Sequence, residues 1–248
     1  MPIAFPNESS AYRQARDALL QQEVELVRQL EAVTAQRQSL PPGGEIPEDY
    51  VFDRIADGAA ATVRMSELFG DSDTLTLYSP MFPRMCGDAR PIPTGGVFAE
   101  LPADQAPCPS CTALVDMWDG MVAQLDGLGG TLAIVAKTPI GHLAAFAQER
   151  GWRHIEVLSA ANCSFRSDYG ADNAEGRPSP LMTIFKRWPD GTIRLHWAGE
   201  QVLARFEHED PGQHPESHPV AEPLWALYDV ATSPGYAQWR IGHLPANW

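Results

Sequence analysis

A chain of 248 residues is long enough for one large domain with a sizeable core, or a medium domain with attached arms, and a single core with additions is expected. Its formal net charge of −14, with only 18 scattered Lys and Arg, opposes attraction to nucleic acid or an anionic membrane. No stretch approaches the roughly 20 apolar residues of a membrane-spanning helix, and the region at Met1 lacks the basic and apolar parts of an export signal, so the expectation is a cytoplasmic protein with neither nucleic acid nor membrane as partner.

From Ser10 to about Leu40 the pattern is helical, with Tyr12, Leu19, Leu26 and Val33 recurring every seventh residue until Pro41-Pro42-Gly43-Gly44 stops it. That spacing marks a coiled-coil seam. The intermediate Gln22 and Gln29 are polar, however, which favours a helix docked on its own domain or on a dimer partner. Residues 1–43 are therefore read as a helical arm, through which a homodimer would form, and 44–248 as the main domain.

Tyr50 to Phe52 and Ala61 to Arg64 read as short strands of a hairpin, and Ser66 to Gly70 as one helical turn with Ser66 as N-cap. Thr74 to Tyr78 is a strand ended by Pro80. Residues 79–107 carry six prolines and three glycines, which predicts a long loop insertion suited to substrate selection. A helix begins near Pro109, a favoured first-turn residue, and runs to Leu125 before Gly127. Thr131 to Ala136 is a continuous apolar run of the buried-strand type. Pro139 opens a helix that stops at Gly151, and His154 to Leu158 is a short strand. After an irregular stretch, Leu181 to Arg187 and Thr192 to Trp197 flank Pro189-Asp190-Gly191 as a hairpin. A polar loop with His208, Glu209, Asp210, His214 and His218 precedes a last helix with Leu224, Trp225, Leu227 and Tyr228. The loop lacks the helical face of a metalloprotease motif and reads as solvated.

The chemistry concentrates in Pro107-Cys108-Pro109-Ser110-Cys111. Two thiols at this spacing can form a disulfide, exchange with another disulfide, or hold a metal. A cysteine at a helix N-terminus meets unpaired N–H groups and the positive end of the helix dipole, which favour the thiolate. Cys108 is thus the expected attacking sulfur and Cys111 the resolving one, with a thiol or disulfide of a small molecule or protein as substrate and no cofactor required. The plain alternative is that both cysteines are small buried core residues. In a metal reading, Cys108 and Cys111 would bind copper or zinc with further ligands drawn from Cys86, Cys163, His142, His154 or His196. Cys86, between Arg84 and Arg90, is alternatively a third redox thiol or an exposed cysteine, and Cys163 would face the dithiol or stand apart from it. No dinucleotide, P-loop or serine-hydrolase motif occurs.

The order strand, Cys-x-x-Cys helix, strand, helix, strand, hairpin resembles the thioredoxin fold, an α/β architecture with a central mixed sheet, here with an N-terminal helical extension and extra N-terminal strands. That resemblance implies a cis proline opposite the sulfurs at the start of the hairpin, where Pro180 stands and Pro178 competes. Tyr50-Val51-Phe52, Leu68-Phe69-Gly70, Tyr78 to Phe82, the Cys108 to Cys111 motif, the strand ending at Ala136, Gly151-Trp152 and Ser164-Phe165 to Asp168 together resemble a bacterial thioredoxin-like family labelled domain of unknown function 899. The likeness runs over most of residues 10–200. This chain has a longer loop before the dithiol and lacks the family's usual Leu-Asp-x-Thr-Pro-x-Gly-Arg ending. Together the motif and the resemblance imply a thiol-disulfide oxidoreductase, with metal-dependent enzyme and non-catalytic binding module as the alternatives.

Overall fold

The computed structural model describes residues 5–84, 96–102, 104–122 and 130–199. Backbone contacts divide the chain after Gly43 into two units. In the first, helix α1 (Ser10–Gln38) opens with Ser9 Oγ accepting the Tyr12 N–H at 3.1 Å, which satisfies one of the unpaired donors of its first turn. Arg13 pairs with Asp17 one turn on, at 2.9 Å. Tyr12, Leu19, Leu26 and Val33 are all exposed.

The second unit carries β1 (Val51–Ala56), β2 (Ala59–Arg64), a single turn α2 (Met65–Leu68), β3 (Thr74–Ser79), α3 (Pro109–Asp119), β4 (Gly130–Ala136), α4 (Ile140–Arg150), β5 (Glu156–Ser159), a second single turn α5 (Phe165–Asp168), β6 (Leu181–Arg187) and β7 (Ile193–Ala198). A 3₁₀ turn, Val97–Glu100, lies in the loop between β3 and α3. The seven strands form one sheet in the order β2-β1-β5-β4-β3-β6-β7. Strand β3 is parallel to β4 and antiparallel to β6, β4 is parallel to β5, and β6 returns through a hairpin to β7. The run β4-β3-β6-β7, with α3 crossing from β3 to β4, is the thioredoxin-like arrangement, extended at the other edge by β5 and the β1–β2 hairpin.

Alternation along the strands fills both faces of the sheet, as the period of two requires. Leu75, Leu77, Ala133, Val135 and Leu158 point to one core with Tyr50, Phe52 and Phe165, whereas Tyr78, Leu132 and Ile134 point to the other with Leu114 and Val115 of α3. A further apolar group on α4, Leu143 and Phe146, packs with Phe82 and Phe98. Turn chemistry sets the register where the chain reverses. Asp57 and Gly58 both have positive φ, 49° and 77°, as a two-residue hairpin turn demands, and Gly151 closes α4 in the left-handed conformation.

Four expectations change in detail. The turn at residue 65 starts before Ser66, because the Glu67 carboxylate accepts the Arg64 N–H at 2.7 Å and Ser66 is instead held by Asp49. Helix α3 closes at Asp119 rather than near Leu125, with Gly120 as its cap, and residues 123–129 lie outside the described residues. Strand β5 starts at Glu156 rather than His154, since the N–H groups of Arg153, His154 and Ile155 all go to Asp119 Oδ1. The stretch expected to be irregular before β6 holds the α5 turn, with Ser164 Oγ donating to Asp168 at 2.6 Å. Among the described residues no helix is long and apolar enough to cross a membrane.

Candidate functional site

The dithiol sits where the crossover from β3 turns into α3. Cys108 occupies the N-cap, Pro109 the first helical turn, and Cys111 lies one turn inside. The base of the long loop is closed by main-chain bonds that deliver this segment to the sheet: Arg84 N–H donates to Ala106 O at 2.7 Å, and Cys108 N–H to Met81 O at 2.9 Å. The Cys108 carbonyl is in turn capped twice by Thr112, through its N–H at 3.0 Å and its Oγ1 at 2.9 Å. Cys108 is therefore held on both sides of its Cα by main-chain groups.

Met81, two residues beyond the end of β3, serves both cysteines. Its carbonyl accepts from Cys108, and its N–H donates to Cys111 Sγ at 3.4 Å. The Tyr78 hydroxyl also bonds the Cys111 sulfur. The Cys111 thiol is nevertheless pushed well up, first by its hydrogen bond with Cys108, then by burial and by charge on the Cys108 sulfur, and the Tyr78 and Met81 donors do not offset this. Burial and the Cys108 sulfur thus favour the neutral thiol at Cys111.

Neither sulfur is in a disulfide, and both are closed in: Cys108 is 0% and Cys111 3% exposed. A void of ≈ 10 Å³, about the space of one water, touches them. Its walls include Met81, Pro107, Val115, Phe146 and Trp152. Cys108, the expected attacking sulfur, is at the helix start and buried there. That position combines the helix start of the exchange reading with the burial of the plain core alternative, and Met81 and Pro107 line the void beside the sulfurs.

The proline expectation is corrected. Ser179–Pro180 is trans, and Pro180 is not among the residues around the dithiol void. Among the described residues the cis peptide is Phe82–Pro83, in the segment that follows Met81. Ser179 N–H is tied to Ala171 O at 2.8 Å, which leads the chain into β6 in an extended path. It is Pro80 and Met81, after β3, that stand against the sulfurs.

The remaining candidates are dispersed. Cys163 packs beside the Tyr50 and Phe165 cluster on the opposite face of the sheet, and burial, helped by Glu48, Asp53 and Asp168, pushes its thiol up. His142 stands on α4 with its ring against Phe98, His154 is exposed before β5, and His196 is half-buried on the edge strand β7. Among the described residues no three His, Cys, Asp or Glu side chains converge on a metal-sized site. Cys86 and the group from His208 to His218, like the expected last helix with Trp225, lie outside the described residues.

Sequence reasoning assigned no chemistry to Met81, Tyr78, Thr112 or Arg166. Tyr78 and Arg166 fall within the segments that carry the family resemblance, and Arg166 is 1% exposed, with its guanidinium on the carbonyls of Pro80 and Val135 at 3.2 and 3.1 Å. A buried cation at the ends of β3 and β4 is invisible to periodicity, which sees only a polar residue between Phe165 and Ser167.

A family model described as bacterial protein of unknown function (DUF899) matches residues 3–231. No curated protein matches the chain. Among solved structures, Enterococcus faecalis AhpC is similar at 14% identity, with 77% of this chain and 93% of that chain covered and a TM-score of 0.43. A reduced 2-Cys peroxiredoxin of Plasmodium vivax is similar at 12% identity over 84% of this chain and 88% of its own, with a TM-score of 0.45. An uncharacterized conserved protein of Geobacillus kaustophilus shows 14% identity over 71% and 77%, with a TM-score of 0.42.

Proposed function

Because this chain belongs to the bacterial DUF899 family, whose description carries no activity, its chemistry has to be read from its own residues, and we propose that it is a thiol-disulfide oxidoreductase working through Cys108 and Cys111. The observation that carries this reading is the Met81 main chain, which accepts from Cys108 N–H and donates to Cys111 Sγ. A merely space-filling pair of cysteines needs no donor aimed at one of its sulfurs.

In the proposed cycle Cys108, at the positive end of α3, attacks a substrate disulfide as the thiolate. A bond forms between Cys108 Sγ and one substrate sulfur, the substrate S–S bond breaks, and the second substrate sulfur leaves as a thiolate. Cys111 gives its proton to that thiolate and attacks Cys108 Sγ, which expels the first substrate sulfur as a thiolate that is protonated from water. The net change is two electrons: the protein dithiol becomes a disulfide and the substrate disulfide becomes two thiols. The high proton affinity of Cys111 suits this order, since it keeps the resolving sulfur neutral until the mixed disulfide forms. The buried pair requires its cover to open before any substrate larger than a few atoms meets Cys108.

The test is reduction of a small aromatic disulfide by the purified, reduced chain, with Cys108→Ser as the comparison. Loss of that activity in a variant with unchanged circular dichroism supports the reading, and unchanged activity refutes it. Stoichiometric copper or zinc in protein purified without added metal, lost in the same variant, would replace it with the metal reading, and neither activity nor metal would leave a binding module.

A further inference from the structure

The Arg166 side chain carries more contacts than a structural cross-link between strands requires. It is 1% exposed, and its donors are spread over the Pro80 carbonyl at 3.2 Å, the Val135 carbonyl at 3.1 Å, the Ala171 carbonyl at 3.0 Å, and Asp172 Oδ1 at 3.1 and 3.2 Å. Asp172 is the counter-charge and is shared with Lys137, 3.4 Å away. The Pro80 carbonyl and the Met81 N–H are the two ends of one planar peptide unit. Arg166 holds the first, and Cys111 Sγ receives the second at 3.4 Å.

From this geometry we infer that Arg166 is a positioning residue that sets the redox equilibrium of the dithiol through the Pro80–Met81 peptide. The inference rests on the oxidoreductase reading. A cation on the carbonyl oxygen draws charge along the amide and makes its N–H a stronger donor, and bonds linked in this way reinforce one another where water is excluded. The same contact fixes the plane of the peptide, so that the N–H stays aimed at the sulfur. An N–H bond favours the sulfur with more negative charge, and the Cys111 sulfur carries more as a thiol, and more again once it gives up its proton to attack, than as half of a disulfide. Arg166 thereby stabilises the dithiol and makes the disulfide a better oxidant. Val135 and Ala171 explain why the residue is also structural, and the Pro80 contact is what links it to the sulfurs.

The two roles separate by measurement. The full chain is equilibrated with oxidised and reduced dithiothreitol at fixed pH, where dithiol and oxidised reagent exchange two electrons for disulfide and reduced reagent, and the disulfide fraction is read by alkylation and mass. Arg166→Met is expected to move the equilibrium constant toward the disulfide by about three- to tenfold, or roughly 15–30 mV. Arg166→Lys keeps the charge without the fork and should fall between Arg166→Met and the unaltered chain. Asp172→Asn removes the counter-charge but spares the Pro80 contact, so it should move the equilibrium the opposite way even though it also lowers thermal stability. Folded Arg166 variants that share the equilibrium of the unaltered chain overturn the inference, as does an Asp172→Asn shift in the same direction as Arg166→Met. Should Arg166→Met fail to fold, Arg166→Lys and Asp172→Asn decide on the same terms. An unaltered chain that forms no Cys108–Cys111 disulfide refutes the oxidoreductase reading, and the inference with it, whereas a measurable equilibrium indifferent to Arg166 refutes the inference alone.

Discussion

The indole Nε1–H of Trp152 donates to Asp116 Oδ1 at 2.8 Å, which fastens the segment after α4 to the helix that carries the dithiol. Arg150 closes on the same carboxylate from the last turn of α4, with its Nε 3.2 Å from Oδ1. Asp116 and Arg150 are partly shielded, so this is a charge-assisted contact of the stronger kind. Trp152 also walls the void beside the sulfurs, so the bond sets one side of the site. Asp116→Ala should cost about 1–3 kcal/mol of unfolding free energy and shift the Trp fluorescence of the native state. A urea midpoint within error of the unaltered chain would show that the contact contributes nothing.

Asp119 ends α3 by accepting the N–H groups of Arg153, His154 and Ile155 at 2.9, 2.9 and 3.0 Å. Burial on its own would raise the carboxyl, but these three donors and the nearby His154 outweigh it and hold the group below its ordinary value. A carboxyl lowered on folding contributes stability that is present above its unfolded value, about 3.9, and lost as pH falls through its folded one. Stability should therefore decline from about pH 5 downward. Urea midpoints taken over that range should fall less steeply for Asp119→Asn, and identical slopes would exclude Asp119 as a source of the acid sensitivity.

Burial of both sulfurs makes their reactivity depend on local opening. Iodoacetamide should label Cys108 and Cys111 in the native chain at least about tenfold more slowly than in urea. Under the proposed mechanism Cys111→Ser should hold an aromatic disulfide reagent as a stable adduct on Cys108, and Cys108→Ser should form none on Cys111. Mass spectrometry after brief exposure distinguishes the two, and an adduct on Cys111 alone would reverse the assigned roles.

Phe146 is fully buried, with ring centroids 5.4 Å from Phe82, 5.0 Å from Phe98 and 5.5 Å from Trp152. It joins α4, the segment after β3 and the 3₁₀ turn of the long loop into one packed group. Phe146→Ala should destabilise the chain by about 3–5 kcal/mol. Because Phe98 and Trp152 lose a neighbour, it should also raise the alkylation rate of Cys108 in the native state. Destabilisation with no change in that rate would separate this cluster from the cover of the dithiol.

Much of the fold was legible because its signals are local. The apolar run Thr131 to Ala136, the Pro189-Asp190-Gly191 turn and the stops at Gly70 and Gly151 each act within a few residues, and β4, the β6–β7 hairpin and the ends of the neighbouring helices follow them. The errors came where a distant group took over. Asp119 takes the His154 and Ile155 N–H groups that the expected strand would otherwise have used, and Asp49 removes Ser66 from the cap position.

For the site, a Cys-x-x-Cys beside Pro109 is enough to place two thiols at a helix start, because capping and first-turn preferences are decided by adjacent residues. What surrounds those thiols depends on sheet order. Only after β3 pairs with both β4 and β6 does the chain beyond Ser79 lie across the start of α3, bringing Met81 and Tyr78 to Cys111. The same pairing gathers Pro80 and Val135 around Arg166, which lies 86 and 31 residues away in sequence. Hydrogen bonds over such separations cost chain entropy that no short motif records, so they are settled by the packed sheet as a whole. The sequence alone determined that this protein has a dithiol at a helix N-terminus. The tertiary structure decided that the pair is buried and which peptide touches Cys111.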